Sequence, residues 1–206
     1  MLFNILVLIS FFICILPLKR FVGIFPSLMA CIVRWKESVN LDASVKLSRD
    51  RDIMAIAMVM PLCLTAGKFV LYSPSWIGQF GGDARLGLTI GVILAYILLR
   101  KGLEHIMRPK KMSQKTYKTA CKSSHTFFII LTLALMVMGG IMSFTNVAPM
   151  EIKNAMLWVS GATYAVFLLR KTQIFTSSCS FFSGFLYLCA LEILPTGALV
   201  ASALIF

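Results

Sequence analysis

Glu192 stands in the middle of a long apolar run, in Tyr187-Leu188-Cys189-Ala190-Leu191-Glu192-Ile193-Leu194-Pro195. A carboxylate at that depth in hydrocarbon costs at least about 2.5–3.5 kcal/mol, so it should face other helices and find a partner there. Cys189 and Thr196 fall on the same helix face, and Pro195 frees the carbonyl of Leu191 from its helical hydrogen bond. The counter-charge expected from the sequence is Lys68, near the outer end of another apolar run in which Pro61, Thr65 and Lys68 share a face. Two such helices side by side would form an intramembrane polar site of Glu192, Lys68, Thr65, Cys189 and Thr196. Its chemistry would be proton or ion coupling. The competing reading is structural: a buried pair, or a protonated carboxyl bonded to a backbone carbonyl. The structural reading is the stronger, because a single acid makes a thin relay.

A second candidate is basic. Pro109 should end one helix and Ser113 cap the next, which would carry Lys111, Lys115, Lys118 and Lys122 as a stripe at three- and four-residue spacing. Such a stripe suits anionic lipid headgroups or an acidic membrane-protein partner. A cluster that only sets topology explains it with less. Nucleic acid is not expected as a partner of the +12 net charge, because the basic residues flank apolar runs.

No catalytic residue, metal site or cofactor is expected. Lys101 and Arg108-Pro109 match the first element of the lipid-phosphatase pattern, but its Pro-Ser-Gly-His and Ser-Arg…His elements do not follow. Gly82-Asp83-Ala84-Arg85 lacks the downstream aspartates of phospholipid synthases. Cys121 and His125, one turn apart, would supply two metal ligands but not a site. The six cysteines contain no Cys-x-x-Cys, and no disulfide is expected among them.

The elements that must position these groups follow from composition. The 206 residues are 59% hydrophobic and only 14% charged, against roughly half and a quarter in soluble domains. The apolar excess is gathered into long uncharged runs without period-two alternation, which excludes a soluble catalytic domain and a transmembrane barrel. The expectation is an all-α polytopic bundle in one membrane domain, 1–206. About six transmembrane helices lie near 2–18, 53–72, 85–100, 125–145, 154–170 and 180–204. The run 21–33 is too short to cross and should lie at the interface or re-enter, broken by Pro26.

Placing segments 19–52, 100–122 and 170–180 in the cytoplasm gathers there all but Lys68, Arg85 and Lys153 of the 20 basic residues. Both termini then lie outside, which for an inner membrane means periplasmic. Segment 39–48 alternates apolar and polar residues, a strand pattern with no partner strand, and reads as extended or interfacial. Gly87 with Gly91, Gly139-Gly140 with Ser143, and Gly197 with Ala201 read as close contacts between helices of this chain before contacts between chains.

The run Phe185-Leu186-Tyr187-Leu188-Cys189-Ala190-Leu191-Glu192-Ile193-Leu194-Pro195 resembles the C-terminal hallmark of an uncharacterised family of multi-span membrane proteins from Bacteroidetes. Ser48-Arg49-Asp50-Arg51, Lys68-Phe69-Val70-Leu71-Tyr72 with Pro74, Arg170-Lys171 and Ser177-Ser178-Cys179-Ser180 resemble other stretches of it more loosely. The resemblance implies a helical bundle of the inner membrane in a Gram-negative cell and supplies no activity. Two functions remain: a non-enzymatic scaffold or accessory subunit of a membrane complex, and a small proton- or ion-coupled transporter centred on Glu192.

Overall fold

A computed structural model describes residues 2–72, 74, 81–107, 114–145, 148–177 and 181–205, and every regular element among them is helical. The elements are α1 (Leu2–Ile15), α2 (Leu18–Val33), α3 (Trp35–Ala43), α4 (Val45–Ala57) and α5 (Val59–Lys68). They are followed by α6 (Gly82–Ile106), α7 (Gln114–Ser143) and α8 (Pro149–Thr176). The last stretch is α9 (Phe181–Leu188), a π-turn (Cys189–Ile193) and α10 (Leu194–Ile205).

Four helices among the described residues are long and apolar enough to cross a membrane: Gly82–Ile106, Thr116–Ser143, Pro149–Thr176 and Gly184–Ala203. The pair Phe3–Ile15 and Leu18–Val33, bent by 73° at its break, makes a fifth if it counts as one span. Four of the expected six spans thus pass by length and composition among the described residues, or five with the bent pair. The stretch 53–72 does not pass as one helix. The helix breaks at Met58, and α5 has ten residues, about 15 Å of rise. Pro61 explains the break, since it has no N–H for the Ala57 carbonyl and its ring crowds that turn. Pro26, by contrast, sits inside an unbroken α2.

Segment 39–48 is neither a strand nor extended. It is the end of α3 and the start of α4, joined at Ser44, whose hydroxyl accepts from the Leu47 amide at 3.5 Å. α6 stops at Ile106, short of Pro109, and α7 runs unbroken through the basic segment into the apolar one. Pro109, Lys111 and Ser113 lie outside the described residues.

α7 and α8 form the principal antiparallel pair, with α9 against α8 and α5 against both α6 and α7. In lipid, helices associate through close packing rather than hydrophobic burial. Buried Ile24, Leu28, Cys31, Leu41, Met54 and Ile129 knit α2, α3, α4 and α7. Ala120, Ile174, Phe175, Leu188 and Leu191 knit α7, α8 and the last helix. Of the expected small-residue contacts, Gly139 is one: a Cβ there would meet the Phe69 ring at 2.8 Å and Met156 at 3.0 Å. Gly87, Gly91, Gly140 and Gly197 have nothing within 4 Å of that position, so they face outward and mediate no packing within the described chain. Just Leu86 and Thr89 of α6 are buried.

Candidate functional site

Glu192 sits in the π-turn, where the last helix changes neighbours. Upstream, α9 lies along α8, whereas the π-turn and α10 lie against α6. The turn is closed by the Leu194 amide donating to the Cys189 carbonyl, one residue wider than an α-helical bond. Pro195 directly follows, and widening the preceding turn relieves the clash its ring would otherwise make with the Leu191 carbonyl. Glu192 is thus turned into the junction of three helices, wholly buried.

Its partners are Arg100 of α6 and Lys171 of α8. Arg100 donates from Nη2 to Oε1 at 2.5 Å, and the Lys171 ammonium donates to the same oxygen. Lys171 is as fully buried as Glu192, while the Arg100 side chain is 18% exposed and also lies 3.8 Å from Glu104. Oε2 of Glu192 is buried without a hydrogen-bond partner among the described residues. Aromatic rings close the site. Lys171 stands over Phe167 at 5.6 Å and Phe175 at 5.8 Å, and Arg100 over Phe167 at 5.4 Å. One turn beyond Glu192, Thr196 hydrogen-bonds Tyr96 at 2.9 Å. The Tyr117 hydroxyl of α7 donates to the Glu104 carbonyl at 2.7 Å.

The structure thus gathers Glu192, Cys189 and Thr196 on one element but does not bring Lys68 to them. Lys68 is exposed at the end of α5 with its ammonium 5.3 Å from the Phe69 ring, and Thr65 lies on the same short helix. The pairing expected between Lys68 and Glu192 is corrected to Glu192 with Arg100 and Lys171. Both cations look like flanking charges if the spans end at 100 and 170. The helices run on to Ile106 and Thr176, which places both residues more than a turn inside.

A second polar cluster joins α3, α4 and α7. Arg51, 1% exposed, donates to Asp42 at 3.0 Å and to Asp52 at 3.2 Å. Thr119 donates to the other Asp42 oxygen at 2.8 Å, and Ser48 donates to Asp42 at 3.1 Å. Lys122 donates to Ser48 at 2.9 Å, and His125 Nδ1 lies 2.9 Å from Asp52. Burial pushes the Asp42 carboxyl up, but the hydrogen bonds from Thr119 and Arg51 and the charges of Arg51 and Lys122 together hold it below the usual range. Asp52 is likewise held low: burial opposes ionisation, and His125, Arg51 and Lys122 outweigh it. Lys122 is therefore engaged within the fold rather than free on a stripe. Lys118 is exposed and lines a cleft of about 220 Å³ with Asp42 and Thr119. The Lys115 side chain lies outside the described residues, as does Lys111.

No curated protein and no solved structure matches the chain. A family model described as a domain of unknown function, DUF4271, matches residues 3–202. That match spans nearly the whole sequence, and the chain belongs to the DUF4271 family.

Proposed function

We propose that the protein is a non-enzymatic component of the bacterial inner membrane, a scaffold or accessory subunit of a larger complex. The observation that carries this reading is the closure of the polar site. A single Glu192 oxygen is claimed by both Arg100 and Lys171, Glu192 and Lys171 are fully buried, and aromatic rings pack over the cations. Such a triad fixes α6, α8 and the last helix relative to one another; it is built as a joint rather than a port. The orientation that goes with this reading takes the bent α1–α2 pair and the broken α4–α5 stretch each as a crossing and puts both termini in the periplasm. Its support is the gathering of basic residues at the end where α6 finishes and α7 begins. Lys118, with Lys111 and Lys115, would face anionic headgroups there.

The test has two arms. Tagged chain extracted in mild detergent should retain a stoichiometric partner through gel filtration. Purified chain in proteoliposomes should move no protons or ions above protein-free vesicles under an imposed pH or salt gradient. Partner-free chain with robust, Glu192-dependent flux would overturn the reading. The second function, ion or proton coupling, is favoured by one feature, the unpartnered Oε2 of Glu192, and the flux arm decides between them.

A further inference from the structure

The cleft between the first turns of α2 and α4, beside the bend that joins α1 to α2, carries a charge imbalance that the fold does not use. It has a volume of about 290 Å³ and is lined by Lys19, Arg20 and Lys46, with Gly23, Ile24, Leu47 and Asp50. Three cations therefore face one carboxylate, and Asp50 is already taken by Arg20 at 3.3 Å. Lys19 and Lys46 are exposed and make no ion pair among the described residues. Basic residues in a first turn run against the helix dipole, so helix stability does not explain them. Membrane insertion accounts for the leaflet they occupy but not for their convergence on one cleft from two helices.

The surroundings say what kind of anion fits. The floor is apolar, with Ile24 buried and Leu47 packed on the core. Exposed aliphatic residues adjoin these positions in the chain: Leu16 is 85% exposed, Val45 83% and Val22 67%. A cationic pocket beside exposed aliphatic side chains matches an amphiphile with an anionic head and hydrocarbon tails. We propose that this cleft binds the phosphate headgroup of an anionic phospholipid, with Lys19 and Lys46 on the phosphate oxygens and the acyl chains along Leu16, Val22 and Val45. The inference needs the membrane placement only, so it stands whether the chain is a scaffold or a transporter.

The experiment is native mass spectrometry of the full chain released from vesicles of phosphatidylglycerol and phosphatidylcholine. The wild type should retain phosphatidylglycerol preferentially. Each lysine in contact with the phosphate is worth about a fivefold factor, so Lys19→Gln with Lys46→Gln should cut that preference roughly 25-fold. A control pair with the same loss of charge, Lys36→Gln with Lys101→Gln, should leave it nearly unchanged. Equal loss in the two pairs, or no loss in the first, overturns the proposal. So does a Lys19/Lys46-dependent thermal shift with inorganic phosphate alone when lipid retention is unaltered, because the occupant would then be a soluble phosphate. Should the double variant fail to fold, Lys46→Gln alone is decided by the same readout.

Discussion

Replacing Glu192 by Gln leaves Lys171 buried without its counter-charge and Arg100 with Glu104 alone. Breaking a buried ion pair from one side costs about 3–5 kcal/mol, so the variant should melt well below the wild type in detergent. Removing acid and amine together, as Glu192→Leu with Lys171→Met, should recover much of that loss; a double variant as unstable as the sum of its singles would show that the groups are not coupled. At the α3–α4–α7 cluster the effect is one of pH. Asp42 and Asp52 are held below their ordinary values in the folded chain. Their contribution is thus fully present above about pH 4 and lost as the pH falls through the folded values. Thermal melts from pH 7 down to pH 3 should show a steeper acid loss for wild type than for Asp42→Asn. Glu192 was legible in the sequence because a lone carboxylate interrupts an apolar run. Its partners were not, because Arg100 and Lys171 stand where insertion already accounts for positive charge. Lys68 stood out only for being a cation inside such a run.

Among the elements, α5 ends in an unusual way. Val70 has φ of 50°, and the Leu71 amide reaches back to the Ala66 carbonyl at 2.9 Å, a helix stop that glycine normally provides. A β-branched residue in that conformation is strained, so Val70→Gly should raise the melting temperature, by about 1 kcal/mol of stability. Gly139→Ala should do the opposite, pressing a methyl group against Phe69 and Met156, at a cost of about 1–3 kcal/mol. Gly91→Ala, in open space, should be neutral or stabilising by a few tenths up to about 1 kcal/mol. The long apolar helices were readable because hydrocarbon leaves the backbone no other option. The segment 39–48 was not, because two short helices meet at Ser44 and the phase restarts there. Ten positions drawn across that joint mimic a strand. Spacing alone also cannot say which way a glycine points, so Gly139 and Gly91 look equivalent until neighbours are placed.

At the scale of the whole molecule, the long helices alternate direction, and the two polar clusters lie toward the end shared by Ile106, Gln114 and Thr176. A single cysteine placed between residues 110 and 122 in a cysteine-free background should resist an impermeant thiol reagent on intact cells and react after lysis. Labelling from outside would reverse the orientation proposed above. The π-turn also bears on how the family can vary. It holds one residue more than an α-helix would need over the same rotation, so deleting Ala190 would restore regular winding and leave the residues after it on nearly the faces they now hold. Thr196 would keep Tyr96, and Ser202 would keep Tyr72, which it meets at 3.0 Å. Related sequences should therefore tolerate a one-residue gap between Leu188 and Pro195 but none between Pro195 and Ser202, however freely their loops differ in length.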